Sequence, residues 1–257
     1  MARLAEKVAI ITGGASGLGA ATAQRFVEEG CRVMIADLNA ETAASVSKKL
    51  GDNCSWCCVD HRDRNSAATM IESTISRWGR VDILYNNAGV PFAGSIETVT
   101  DEVLDRVFGN NLLGPYRMTQ AALPALKESA QRNSDGAVIL FTGSLQALKG
   151  RPNFTPYTAS KHGIIGLVKG LALELAPHNI RVNAICPAAT DTPMLKHFLP
   201  GMSKDINVAK KRFRESIPLG RLPEPTDTAN AAVFLASPEA GMITGIALPV
   251  DGGATAY

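Results

Sequence analysis

The 257-residue chain has little net charge: 26 Lys and Arg stand against 24 Asp and Glu, a balance of +2. No broad field therefore favours nucleic acid or an anionic membrane, and the expected partner is a small molecule. Long apolar runs are also missing. None approaches the roughly 18 residues needed to cross a bilayer, and the opening from Met1 to Lys7 is short and polar, so insertion and export are not signalled and a cytoplasmic protein is expected. Cysteine is scarce and odd in number: five residues, mostly inside apolar segments, argue for reduced thiols rather than a disulfide framework. Cys54, Cys57, Cys58 and His61 make one ligand cluster where a structural zinc site usually needs two, so a buried strand is expected there and no metal. No internal repeat, low-complexity tract or linker divides the chain.

What is present is apolar residues in a regular order. At 46% hydrophobic and 19% charged, residues 1–257 fit one large domain with an ample core better than two small ones. Short β-branched runs recur at Val8 to Thr12, Val33 to Ala36, Cys57 to Asp60, Val81 to Asn86, Ala137 to Thr142, Val182 to Cys186 and Ile246 to Val250. Helix-length segments separate them. Runs apolar throughout suit parallel strands covered on both faces, so the expectation is an α/β protein: a single-domain, doubly wound, Rossmann-like parallel sheet of about seven strands. Between Pro193 and Pro225 no strand is expected, and Pro193, Pro200, Pro218, Pro223 and Pro225 punctuate a basic helical stretch containing Lys210, Lys211, Arg212 and Arg214. So long an excursion late in a compact domain reads as a substrate lid. Its basic run is expected to be a solvated helix face, with a phosphate or coenzyme A contact as the alternative.

Thr12-Gly13-Gly14-Ala15-Ser16-Gly17-Leu18-Gly19 follows the first strand and opens an alanine-rich helix. Glycines there let the backbone turn tightly and approach a pyrophosphate, whose charge suits the positive end of a helix dipole. Asp37 ends the second strand, 18 residues past Gly19, where a carboxylate can accept hydrogen bonds from both ribose hydroxyls of an adenosine. The same charge repels a 2′-phosphate, and Ser16 and Leu38 offer no cation beside it, so NAD is favoured over NADP. Val59 and Asp60 close the expected third strand, Asp60 suited to an adenine amino group. Asn86, Asn87, Ala88 and Gly89 close the fourth, where Asn86 either meets ligand or caps the strand end.

Tyr157 and Lys161 are four apart in a segment from Tyr157 to Ala176 that reads as one helix, so both project from one face. A phenol of pKa about 10 is a poor base at neutral pH, and a neighbouring ammonium stabilises its phenolate and lowers that value. Ser144 lies just past the fifth strand, where its hydroxyl can hold a substrate oxygen.

Thr12-Gly-x-x-x-Gly17-x-Gly19, Asn87-Ala-Gly89, Ser144 followed 13 residues later by Tyr157-x-x-x-Lys161, and the Val250-Asp-Gly-Gly253 ending together resemble the short-chain dehydrogenase/reductase family in its compact single-domain form. The resemblance spans essentially the whole chain. It implies NAD across the carboxyl edge of the sheet, Lys161 on the nicotinamide ribose, Ser144 orienting an alcohol, and Tyr157 as general acid/base. Asn111, with Asn110 as its neighbour, matches the asparagine that holds a water of the proton relay. Pro187 matches the residue packing by the nicotinamide ring, and Thr190 and Thr192 fall in the loop that binds its carboxamide. Where the family usually has Pro-Gly, this chain has Pro187-Ala188, which strains the loop by roughly 1 kcal/mol if a positive φ is required. A homotetramer is expected from the family, with Ser160, Gly163, Gly166 and Gly170 permitting close helix packing.

The activity expected is therefore hydride transfer between NAD(H) and a secondary alcohol or ketone. The alternatives are an NADPH-dependent 3-oxoacyl-thioester reductase and a non-catalytic dinucleotide sensor on the same fold. Gln146, Phe154, Met194, Pro91, Phe92, Leu195 and Phe198 are the candidate substrate contacts, predicting an apolar or ring-like alcohol. Gln146 is alternatively a turn cap, and Phe154 alternatively core.

Overall fold

The computed structural model describes residues 2–198 and 206–256. Seven strands, β1 (Val8–Thr12), β2 (Arg32–Asp37), β3 (Cys54–Cys58), β4 (Ile83–Asn86), β5 (Ala137–Thr142), β6 (Ile180–Pro187) and β7 (Ala247–Val250), form one sheet in the order β3-β2-β1-β4-β5-β6-β7. All six pairings are parallel. The chain winds outward from β1 through β3, then returns to β1's other side with β4. The strand order reverses there, so the loops after β1 and β4 splay apart and leave a crevice at the carboxyl edge.

Alternate residues of each strand feed two cores. Ile10, Met34, Leu84, Ile139 and Val182 face α3 (Arg64–Trp78), α5 (Gly114–Arg132) and α6 (Thr155–Leu175). Ala9, Ile11, Val33, Tyr85 and Leu140 face α1 (Gly17–Glu28), α2 (Ala40–Leu50) and α9 (Pro225–Ala236). Burial on both faces is why the strands read as continuous apolar runs.

Two strands differ from their sequence expectation. β3 runs three residues earlier than Cys57 and stops at Cys58, two short of Asp60. It lies at the sheet edge, where Cys54 and Cys57 are buried in opposite cores and Trp56 is exposed, so it is not covered throughout as a central strand is. β4 starts at Ile83, two residues after Val81; just before it the Asp82 backbone bonds Val8 (2.8 Å) and Val138 (2.9 Å), and its carboxylate accepts the Val8 amide at 2.9 Å.

Among the described residues the stretch after β6 has no strand: it holds α7 (Leu195–Phe198) and α8 (Ile206–Glu215) before α9. Pro200 lies outside the described residues. Leu195 and Phe213 are buried together with Phe198 and Leu222 against them, forming a small apolar cluster separate from the two sheet cores. The basic run on α8 is held in part by ion pairs, Lys210 with Asp191 at 3.0 Å and Lys211 with Glu215 at 3.7 Å. α4 (Asp101–Phe108) passes into α5 through a π-helical turn at Gly109–Leu113, which buries Asn110 and Asn111. Among the described residues no helix is long and apolar enough to cross a membrane.

Candidate active site

A cleft of about 370 Å³ opens along the carboxyl edge. At one end it is walled by Gly13, Ser16, Gly17 and Leu18 from the turn between β1 and α1, and by Asp37 and Leu38 after β2. The turn is compact because Gly13 and Gly17 take φ of +64° and +53°. A side chain at Gly13 would put a Cβ 2.9 Å from the Ala88 backbone. Gly19 does not line the cleft. Its missing side chain lets α1 close on the turn, since a Cβ there would overlap the Gly13 carbonyl and stand 2.6 Å from Asn87 Nδ2.

Ser16 caps α1 in extended backbone without a side-chain hydrogen bond, and the first turn carries no acid. The amides at the helix's positive end therefore face the cleft uncapped by any side chain, which suits an anion. The Asp37 carboxylate accepts from the Ala15 amide (3.0 Å) and the Asn39 amide (3.0 Å), fixing its charge at the rim. These features fit the pyrophosphate and adenosine of a dinucleotide.

Val59, Ala88 and Gly89 also line the cleft. Asp60 does not: Arg62 engages both its oxygens, at 3.1 and 2.8 Å, and holds its carboxyl well below the usual range, at about 2. Asp60 thus stands beside the cleft and not in its wall, while His61, unnoticed in the sequence for this purpose, lines the wall. Asn87 ties the strand ends together. Its side chain donates to the Thr12 and Gly13 carbonyls, both at 3.1 Å, and accepts from Thr142 Oγ1 at 3.0 Å. Asn86 is buried on the sheet, donating to Thr119 Oγ1 at 3.0 Å, and is not a wall of the cleft.

At the other end stand Ser144, Gln146, Tyr157 and Lys161. Ser144 leaves β5 and caps a short 3-10 turn at Leu145–Ala147, accepting the Gln146 amide at 3.1 Å. The cap belongs to Ser144, while the Gln146 side chain accepts from Thr158 at 3.0 Å. α6 begins two residues before Tyr157, with Pro156 in its first turn where a missing amide proton costs nothing. Tyr157 and Lys161 then fall one turn apart, both buried. Lys161 Nζ lies 5.7 Å from the Tyr157 ring centroid and donates to the Thr142 carbonyl at 2.8 Å.

The electrostatics depart from the sequence expectation. Burial pushes the Tyr157 phenol up to about 12, with hydrogen bonding to Ser144 acting the other way, and pushes the Lys161 ammonium down to about 8. Desolvation dominates: in the free protein Tyr157 is a neutral phenol, and its pKa is raised where the neighbouring lysine led to the expectation of a lowered one.

Asn111 lies behind the wall, its side chain donating to the Val90 carbonyl (3.0 Å) and Ser160 (3.3 Å) and accepting the Val90 amide (2.8 Å). Its neighbour Asn110 lines the cleft. Gly89 brings Asn111 and Lys161 to one gap, since a Cβ there would stand 3.0 Å from Asn111 Oδ1 and 3.6 Å from Lys161 Nζ. Pro187, Thr190 and Thr192 line the cleft as expected. Ala188 avoids the anticipated strain: among the described residues those other than glycine with positive φ are Glu6, Asn153 and Asn179.

The roof comes from the excursion. Phe198 meets the Tyr157 ring edge-on, centroids 5.5 Å apart at 69°, and stands 5.7 Å from Phe154. Phe154, Met194 and Leu195 are walls, whereas Pro91 and Phe92 are not. Arg151 and Phe213, which sequence reading passed over, are walls as well.

A protein-family model described as Enoyl-(Acyl carrier protein) reductase matches residues 13–255. The chain is 36% identical to a 3-oxoacyl-[acyl-carrier-protein] reductase of Thermotoga maritima, covering 98% of each protein. It is 38% identical to the 4-formylbenzenesulfonate dehydrogenase of Comamonas testosteroni, over 97% of this chain and 98% of that one. Among solved structures it is similar to a 3-ketoacyl-(acyl-carrier-protein) reductase from Brucella melitensis complexed with NADH, with TM-score 0.92, 41% identity, and coverage of 98% and 99% of the two chains. Levodione reductase superposes with TM-score 0.93 at 29% identity, covering 99% and 100%.

Proposed function

The chain belongs to the short-chain dehydrogenase/reductase family of oxidoreductases, which use a nicotinamide dinucleotide, and on that premise we propose that it transfers hydride between NAD(H) and a secondary alcohol or its ketone. The observation that carries this reading is the convergence of Ser144, Tyr157 and Lys161 at one end of a cleft whose other end is the glycine turn and Asp37. The uncapped amides of α1, with Thr190 and Thr192 further along the cleft, would hold a dinucleotide, which when bound would supply or accept the hydride. Ser144 Oγ holds the substrate oxygen. The Tyr157 hydroxyl exchanges the proton with that oxygen: it carries the proton to be given in reduction, and in oxidation its phenolate draws on the Lys161 cation, whose nitrogen lies 5.7 Å from the ring centroid. Asn111 is assigned the relay of that proton towards solvent, because it and Lys161 flank the gap at Gly89.

NAD is proposed over NADP on charge. Asp37 presents a carboxylate where the 2′-phosphate would lie; Arg62 is paired with Asp60 at 2.8 Å, and Arg32 stands at the opposite end of β2. The segment at 193–225 is proposed as a substrate lid because Phe198 already covers the Tyr157 ring. For assembly we propose a homotetramer. Ser160 and Gly163 are engaged within the chain, with Asn111 and against Leu112, but Gly166 and Gly170 open outward beside the exposed Leu173.

The second reading is an NADPH-dependent 3-oxoacyl-thioester reductase; the names of the Thermotoga and Brucella proteins favour its substrate class, whereas the Brucella protein is complexed with NADH. Turnover of secondary alcohols and of 3-oxoacyl thioesters, with both cofactors in parallel, separates the two. The expected result is alcohol oxidation with kcat/KM for NAD at least tenfold above that for NADP; a preference for NADPH with the thioester, or inertness towards every alcohol, contradicts the proposal.

A further inference from the structure

Beyond Ser144, Tyr157 and Lys161, most walls at the substrate end of the cleft are apolar, among them Leu145, Phe154, Met194 and Leu195. Gln146 stands in their midst, on the 3-10 turn that Ser144 caps. Its carboxamide has an acceptor oxygen and a nitrogen with two N–H donors, and the protein engages only the oxygen. Oε1 accepts the Thr158 hydroxyl at 3.0 Å, and Thr158 follows Tyr157 directly on α6. Nε2 meets no acceptor among the described residues.

The group is held from both ends. The Gln146 backbone amide donates to Ser144 Oγ at 3.1 Å, and the Thr158 hydroxyl fixes the oxygen, so the nitrogen is turned the other way. Gln146 is only 6% exposed, yet its nitrogen is not sealed among protein atoms, and the space that Gln146 lines is the cleft. Two oriented donors thus face a mostly apolar cleft, two residues along the chain from the serine that holds the substrate oxygen. Once a substrate fills the cleft, an N–H set against hydrocarbon loses its water without replacement, so the site discriminates against a molecule that brings no acceptor. An uncharged donor suits a carbonyl, ether or hydroxyl oxygen.

We propose that Gln146 is a specificity-determining residue of this cleft, its Nε2 donating to a second oxygen of the substrate. The natural substrate is then a hydroxyketone, dione or diol on an otherwise apolar body, with the second oxygen close to the reacting carbon. This rests on the oxidoreductase reading of the same site.

The test is calorimetric binding of ketones to the protein saturated with NAD, a pairing in which no hydride can pass. The probes are 2-methoxycyclohexanone, 3-methoxycyclohexanone and cyclohexane-1,4-dione. Beside them stand 2-ethylcyclohexanone, 3-ethylcyclohexanone and 4-methylenecyclohexanone, which keep the shape and drop the acceptor. For at least one spacing the wild type should bind the oxygen-bearing ketone at least about fivefold tighter than its partner. Gln146→Glu keeps an oxygen for Thr158 but replaces both donors by a second oxygen, so the preference should vanish or reverse. Gln146→Leu should bring the pair within twofold, and Thr158→Val, which keeps the donors but frees their orientation, should fall between. A preference that survives Gln146→Leu, with both ketones weakened by one factor or neither changed, would mark a merely structural residue and overturn the proposal. So would equal affinities within every wild-type pair, or no binding by any probe. Reduction of the same ketones with NADH separates this inference from the activity it rests on. Turnover with no preference for the second oxygen sinks the inference alone; a preference in binding without turnover of any ketone or alcohol sinks the activity proposed above.

Discussion

The Lys161 ammonium nitrogen lies 5.7 Å from the centroid of the Tyr157 ring and gives its hydrogen bond to the Thr142 carbonyl, 2.8 Å away, not to the phenol. The pair is brought together by one turn of α6, but each partner is buried, and burial moves their pKa values towards neutrality of both groups. Tyr157 thus waits protonated, and a charge must arrive or leave before it yields its proton.

That arrangement has a signature in stability. Lys161 titrates at about 8 when folded against an ordinary value of 10.5, so the unfolded chain binds more protons between those limits. Stability from this group therefore rises with pH across the window and is lost as pH falls through about 8. Between pH 8 and 9.5, below the range where Tyr157 titrates, the wild type should gain about 2 kcal/mol relative to Lys161→Met. Urea midpoints of both proteins at the two pH values measure it, and a difference that does not change with pH would remove the buried ammonium from the account.

Asp37 sets cofactor choice in this account. Asp37→Asn keeps an oxygen for the Ala15 or Asn39 amide but discards the charge. The ratio of kcat/KM for NAD over NADP should fall at least tenfold, chiefly through KM for the two cofactors. An unchanged ratio would show that discrimination lies elsewhere on the rim.

Gly19 is a packing residue rather than a wall. Gly19→Ala forces a methyl against the Gly13 carbonyl and Asn87, so the turn and α1 must separate. Overpacking of this kind costs typically 1–3 kcal/mol. Thermal unfolding should show that loss together with weaker dinucleotide binding; a fully stable variant with unchanged NAD affinity contradicts the packing described.

Phe198 covers Tyr157, so Phe198→Ala opens the roof above the phenol. The KM for an apolar alcohol should rise several-fold while the KM for NAD stays within twofold. Equal changes in both would mean that the roof supports the whole cleft and not the substrate end.

Much of this was readable in the chain because it is local. The glycine turn, its strand and its helix are consecutive, and Tyr157 and Lys161 share a helix, so spacing alone puts them on one face. β3 was displaced because an edge strand exposes Trp56 and loses the continuous apolar run that marks a central one. The surroundings of Asp60 were not legible because Arg62, two residues on, engages both its oxygens, an ion pair that composition does not reveal. Arg151 and Phe213 lie 62 positions apart and meet only when the excursion folds back, so no periodicity points to either. The phenol's pKa was misjudged for a related reason: four-residue spacing reports nearness, but burial, which here outweighs it, is a property of the folded surroundings.

The central claim is that the Tyr157 hydroxyl is the group that trades a proton with the substrate oxygen. It is tested most directly by Tyr157→Phe, which keeps the ring, its packing on Phe198 and the shape of the cleft. NADH formation from secondary alcohols should fall by at least a thousandfold while NAD binding, measured by calorimetry, stays within about threefold of the wild type. Turnover within tenfold of the wild type would contradict the account, whatever the affinity for the dinucleotide.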